Sequence, residues 1–239
     1  MNVINTWIKH IDWSKKNAVG DINKSYLLQE RLIGDEYVVD MVIDNTSVQI
    51  CTLCRYRKGL HNDSQFVYEA LDVLDIENPT YSELLKYSIK CSYALGIEYG
   101  PVHMELMNTE DGPVMIEAGA RLHGGIAPIL FEQCYDKGLL SSSIRLITED
   151  YIGENSRLIK NARIIFLINE DERKYVSDVN ELAKKIKDID NVGVVKLFFK
   201  NNEIIPLTTN LANCPGIVTI IADSVTDLDA TEAQVRSMF

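Results

Sequence analysis

Two glutamates, Glu105 and Glu117, each stand inside an apolar run of the stretch GPVHMELMNTEDGPVMIEAGARLHGG, residues 100–125. With Asp111 as the centre of a hairpin turn, Met107 faces Met115, Glu105 faces Glu117 and His103 faces Gly119. Side chains alternate along a strand, so His103, Glu105 and Met107 share one face with Met115 and Glu117. Two carboxylates buried cross-strand, with Cβ atoms roughly 4.5–5.5 Å apart, repel each other. A divalent cation between them removes the conflict, because hard ions such as Mg²⁺ take carboxylate oxygens and share their shell with phosphate and water. Two alternatives stay open. A two-residue turn at Asp111 and Gly112 puts the glutamates on opposite faces, and each glutamate can instead be neutralised by a nearby arginine.

The residues that follow add anion chemistry. In RLHGGIAP, His123, Gly124 and Gly125 precede a helical pattern. Unpaired backbone N–H groups and the helix dipole there would attract a substrate carboxylate or an acyl phosphate, or the glycines serve only a tight turn. Arg121 offers a rigid fork that matches phosphate oxygens. His103 reads either as a packed histidine or as a group at the reaction centre. CRYRKG (Arg55, Arg57, Lys58) is a short basic cluster, suited to a small polyanion or to a solvated strand end. Cys51 and Cys54 lie three apart on an expected strand and point to opposite faces, which does not make a zinc site.

The surrounding pattern supplies the elements that must hold these groups. KSYLLQERLIGDEYVVDMVIDNTSVQICTLCRYRK reads as a strand, a turn at Ile33 to Asp35, and two long strands joined at DNTS, an antiparallel meander. Thr80 and Glu83 suggest a capping box, and Leu84, Ser88, Cys91 and Leu95 recur at helical spacing until Gly96. A second helix is expected from about Pro128 to Ile147, weakened at Gly138. Beyond it come a strand ARIIFLI, a helix near Val179 to Ile186, a hairpin VGVVKLFFKNNEIIPLTTN, a strand after CPG and a last helix. The fold class is mixed α/β (α+β), divided as residues 1–150 and a smaller α+β unit, residues 151–239.

The 239 residues, 46% of them hydrophobic, suffice for a sizeable core. A balance of 24 basic against 35 acidic residues, net −11, repels phosphate backbones and anionic membrane surfaces, so neither nucleic acid nor membrane is an expected partner. No apolar run approaches the roughly 20 residues of a membrane span, and the opening MNVINTWIKHIDW does not read as an export signal. Five scattered cysteines fit reduced, buried thiols and a cytoplasmic setting.

Taken in order, LLQERLIGDEYVVDMV, HMELM with IEAGARLHGG, and TTNLANCPGIVTI resemble the C-terminal part of an ATP-grasp enzyme, nearest to L-amino-acid ligases and biotin-carboxylase-like ligases. The resemblance implies an ATP-grasp C-terminal half with ATP and Mg²⁺ (or Mn²⁺) as cofactors. It assigns the backbone around Gln29, Glu30, Arg31 and Leu32 to the adenine edge and Glu36 to the ribose hydroxyls. Lys58 becomes a possible phosphate contact, Glu105 and Glu117 the metal ligands, and Arg121 a contact to the transferred phosphate. The family usually has a further ligand, asparagine, where this chain has Gly119, and His103 stands opposite that gap. The implied activity is a carboxylate–amine ligase acting on small-molecule acid and amine substrates through an acyl phosphate. NAVGDINK stands where the family's phosphate loop should already have ended, so the chain reads as lacking the N-terminal domain and that loop. It is then expected to turn over ATP poorly alone, or to be a noncatalytic nucleotide-binding or subunit module. Either case leaves room for a homo-oligomer or a partner chain supplying the missing half.

Overall fold

The computed structural model describes residues 9, 12, 14 and 28–239. The chain forms two compact units, Met1–Leu32 and Ile33–Phe239. In the first, residues 28–32 carry no regular secondary structure and Gln29, Glu30 and Arg31 are exposed. The strand expected ahead of the Ile33 turn is therefore absent over residues 28–33, and residues 24–27 of that expectation lie outside the described ones.

The second unit is built on one antiparallel sheet. Its strands are β1 (Asp35–Asp44), β2 (Ser47–His61), β3 (Ser64–Val73), β4 (Gly100–Thr109), β5 (Gly112–Gly119), β6 (Asn161–Phe166), β7 (Val192–Leu197) and β8 (Gly216–Ala222). They lie in the order β5-β4-β1-β2-β3-β6-β8-β7. The turn between β1 and β2 forms because the Asp44 carboxylate accepts the N–H groups of Thr46 and Ser47, each at 3.0 Å. The next turn uses Asn62 and Asp63, both at positive φ, 49° and 60°, the backbone that two-residue hairpins require and that Asn and Asp tolerate. β3, which follows it, has no counterpart in the sequence reading. Because β3 pairs with β6, Leu71 opposite Ile164, the sheet runs unbroken past residue 150.

Among the described residues the α-helices are α1 (Ser82–Ala94), α2 (Ala127–Cys134), α3 (Leu139–Glu149), α4 (Val179–Lys187) and α5 (Val225–Met238). The cap ahead of α1 is Asn78, whose side chain accepts from Thr80 N–H, rather than a Thr80–Glu83 box. Gly96, at φ 70°, ends that segment as expected. The single helix expected over Pro128 to Ile147 is two helices. Gly138 separates them for a steric reason: a Cβ there would lie 2.0 Å from Glu132 Oε1, the same oxygen that accepts the N–H of Leu140 at 2.9 Å and so caps α3. The expected hairpin after Val192 is also corrected, since β7 pairs with β8 and residues 198–210 are not strand.

Two cores lie on the sheet. Met41, Leu53, Met104, Phe131, Tyr135 and Leu146 belong to the first, and Ile165, Ile186, Val218, Leu228 and Val235 to the second. β1 is buried from Tyr37 to Ile43, which places it in the middle of the unit. An ion-pair network locks α5 to the sheet: Glu232 meets Arg57 at 2.5 Å, Arg163 at 2.6 Å and Arg236 at 2.6 Å, while Asp72 meets Arg163 at 2.5 Å and Arg57 at 3.1 Å. The CRYRKG cluster meets carboxylates of its own chain, for Arg55 also reaches Asp72 at 3.6 Å and Lys58 reaches Glu36 at 2.6 Å.

Candidate active site

The hairpin of β4 and β5 places Glu105 opposite Glu117 and His103 opposite Gly119. The turn, however, is the two residues Glu110 and Asp111, closed by Thr109 opposite Gly112, and Met107 faces Val114 rather than Met115. That register alone would set Ile116 against Glu105. An irregularity between Glu105 and Leu106, with Ile116 as the extra residue of a bulge, brings Glu117 into the position instead. The two carboxylates are not equally buried. Glu105 is one-fifth exposed, whereas Glu117 is 58% exposed and has Arg121 at 3.6 Å, which corrects the expectation that both are interior.

Behind Glu105 lies a closed polar cluster centred on Asp40. This carboxylate is fully buried, accepts from Thr52 Oγ1 at 2.5 Å, and meets Nδ1 of His103 at 2.8 Å and Nδ1 of His123 at 3.0 Å. Burial alone would raise its pKa, but the two imidazoles hold it well below the usual carboxylate range. His103 is displaced the other way, to about 9: burial lowers it, and the hydrogen bonds to Asp40 and Glu105 outweigh that. Its Nε2 lies 3.4 Å from Glu105 Oε1, and this contact is the main cause that lowers the Glu105 pKa. The rings of His103 and His123 meet edge to face at 4.5 Å. Asp40 was not singled out from the sequence, although a lone carboxylate inside the apolar run YVVDMVI is a signal that a buried partner is waiting for it.

Farther along the same face, Glu36 stands opposite Met107 on β4 and Tyr56 on β2. Its carboxylate is only 11% exposed and is held by Lys58, whose ammonium also sits 4.3 Å from the centre of the Tyr68 ring. Burial lowers the Lys58 pKa, but Glu36 and Tyr68 more than compensate and keep it charged.

Some of these residues line a cavity of about 250 Å³. His103, Glu105, Arg121, His123, Gly124 and Gly125 form its polar wall, and Tyr56, Leu71, Ile164, Phe166, Leu211 and Ile217 its apolar floor. Gly125 needs its glycine, at φ 66°, and the loop leads directly into α2. The aliphatic stem of Arg121 folds over Gly119, where a Cβ would lie 3.1 Å from its Nε. As a fit for a metal ion, one donor atom each from His103, Glu105 and Glu117 lie within 4.8 Å of one another, a spacing compatible with a single ion after small side-chain movements.

The ATP-grasp domain model matches residues 2–128, more than half of the chain. The chain belongs to the ATP-grasp family. It is 27% identical over 237 residues to dapdiamide A synthase of Enterobacter agglomerans, covering 94% of this chain and 54% of that protein. It is 24% identical over 153 residues to the L-arginine-specific L-amino acid ligase of Bacillus subtilis, covering 60% and 37%. Among solved structures, the L-amino acid ligase from Bacillus licheniformis superposes with a TM-score of 0.71 at 19% identity, over 87% of this chain and 51% of that one. Phosphoribosylglycinamide synthetase from Anaerococcus prevotii does so with 0.62 at 16%, over 86% and 52%. These structural likenesses concern the fold. The chain spans about half the length of the relatives it matches over most of its own. No helix among the described residues is long and apolar enough to cross a membrane.

Proposed function

We propose that this chain carries the metal and phosphate side of an ATP-dependent carboxylate–amine ligase in the cytoplasm. The observation that supports it best is the placement of Glu105 opposite Glu117 across the hairpin, beside a cavity that Glu105, Arg121 and the Gly124–Gly125 loop line. Glu105 and Glu117 would hold Mg²⁺ or Mn²⁺, which when bound neutralises phosphate charge and polarises the transferred phosphoryl. The exposed Arg121 guanidinium would stabilise charge developing on that group as the substrate carboxylate attacks it. The backbone N–H groups of Gly124 and Gly125 would hold the resulting acyl phosphate while an amine displaces phosphate. Glu36 would receive the ribose hydroxyls, with Lys58 fixing its orientation and lying near the phosphates. The names of the relatives point to amino acids as the small-molecule acid and amine. Since the chain covers 54% of dapdiamide A synthase and 51% of the Bacillus licheniformis ligase, a further part, from the same protein, a second copy or a partner chain, would complete the nucleotide pocket.

Titration calorimetry of ATP with and without Mg²⁺ tests this reading. Glu105→Gln and Glu117→Gln should each abolish most of the metal-dependent part of the affinity. Unchanged metal dependence in both variants would sink it.

A further inference from the structure

Resting on the metal site just proposed, and going beyond it, we propose that His103 is a third protein ligand of the ion, through Nε2, and that buried Asp40 is the positioning residue that aims it. Three observations carry this. The first is the hydrogen bond to Asp40. His103 gives Nδ1 to Asp40 Oδ1 at 2.8 Å, so its other nitrogen is directed at Glu105, 3.4 Å away, on the side where Glu117 stands. An imidazole that donates one N–H to a carboxylate and presents the other nitrogen outward is the arrangement by which proteins fix the tautomer and orientation of metal-binding histidines. An ion seated between the glutamates would lie on the side to which Nε2 is directed.

The second observation concerns β5. Gly119, directly across from His103, has no side chain, and the stem of Arg121 fills the volume where one would begin. β5 therefore supplies no donor beyond Glu117, and the donor facing the gap is the imidazole of β4. The third is the cost of Asp40. A fully buried carboxylate is expensive unless its oxygens are satisfied, and here Thr52, His103 and His123 satisfy them. This cluster fixes the His103 ring with no freedom to turn away, and through His123 it ties the same carboxylate to the loop of Gly124 and Gly125. A nitrogen donor has a chemical consequence: relative to an all-oxygen site, it shifts preference from Mg²⁺ toward Mn²⁺ and other transition ions.

The test is pulsed electron paramagnetic resonance of the purified protein loaded with Mn²⁺ and ATP, with its histidines labelled with ¹⁵N so that adenine nitrogens are distinguished. A ¹⁵N hyperfine coupling should be present in the wild type and absent in His103→Asn, which should still bind Mn²⁺ through the glutamates with the Mn²⁺ over Mg²⁺ affinity ratio reduced about 10-fold. Asp40→Asn, if circular dichroism shows it folded, should weaken both the coupling and the Mn²⁺ affinity, and His103→Asn alone decides the matter if it does not fold. Mn²⁺ bound in the wild type and lost in Glu105→Gln, but without a histidine coupling, overturns the His103 assignment and leaves the metal site standing. A coupling that survives in His103→Asn overturns it as well. Failure of the wild type to bind Mn²⁺ overturns the metal site and this inference together.

Discussion

Glu105 and Glu117 face each other across β4 and β5 because Ile116 is an extra residue in β5, not because the turn centres on Asp111. One carboxylate leans on the interior through His103, and the other stands in solvent beside Arg121 at 3.6 Å. The pair is therefore asymmetric: Glu105 is held before any ion arrives, while Glu117 and Arg121 remain free to rearrange around a phosphate.

Arg121→Ala should cut phosphate release by the complete enzyme on the order of 100-fold, the usual cost of losing one preorganised electrostatic contact to a developing charge. Arg121 is half exposed, so thermal stability should stay within about 0.5 kcal/mol of wild type. Steady-state kinetics beside a melting curve separates the two effects, and an unchanged rate would remove Arg121 from the chemistry.

Glu36→Ala should weaken adenosine nucleotide binding roughly 10- to 100-fold, since a charge-assisted hydrogen bond contributes about 1.5–3 kcal/mol. Lys58 loses its partner in the same variant, so Lys58→Met serves as the control that leaves Glu36 in place. A fluorescent ATP analogue reads both, and equal affinity in wild type and Glu36→Ala would count against the ribose assignment.

Glu232→Gln should destabilise the protein by about 3–5 kcal/mol at pH 7, because Arg57, Arg163 and Arg236 lose their shared counter-charge. Burial raises the Glu232 pKa, but Arg236 and Arg57 bring it below its ordinary value of 4.5. A depressed carboxylate contributes stability that is fully present above its unfolded pKa and lost as pH falls through the folded one. The melting-temperature gap between wild type and variant should hold from pH 7 to about 5 and close below 4.5. A gap independent of pH would show that the carboxylate charge is not the source.

Tyr135→Phe should lower the melting temperature by roughly 3–10 °C, the equivalent of about 1–3 kcal/mol for buried backbone groups left unpaired. The lost hydroxyl accepts from Leu53 N–H at 3.1 Å and donates to Leu74 C=O at 2.6 Å, tying the break between α2 and α3 to the sheet. Metal affinity, measured by calorimetry, should not change.

The helices and the hairpin of β4 and β5 were largely legible because alternation and turn residues are local signals. Glu105 opposite Glu117 and His103 opposite Gly119 followed from counting along two strands. The Met107 pairing failed because the turn is the two residues Glu110 and Asp111 rather than one centred on Asp111, and Glu105 meets Glu117 only through a bulge at Ile116 that leaves no mark in residue types. β3 was legible in principle, since Asn62 and Asp63 are a two-residue hairpin turn, but neighbouring charges interrupt its alternation. Asp40 escaped because its meaning depends on His103 and His123, 63 and 83 positions away, and no local pattern encodes such a meeting. The split of α2 from α3 likewise depended on Glu132 reaching over Gly138, a tertiary cap that looks like an ordinary weak spot in a helix.

The attachment of α5 to the sheet has a consequence for synthesis. Arg57 emerges from the ribosome 175 residues before Glu232 and Arg163 emerges 69 residues before it, so both guanidinium groups must wait near the growing sheet for that carboxylate. A ribosome that stops before position 232 releases a chain whose strands are present but whose interior cations lack half of their neutralising partners. Such a product should stay open to proteases and chaperones, so α5 acts as a late seal on strands that were made long before it.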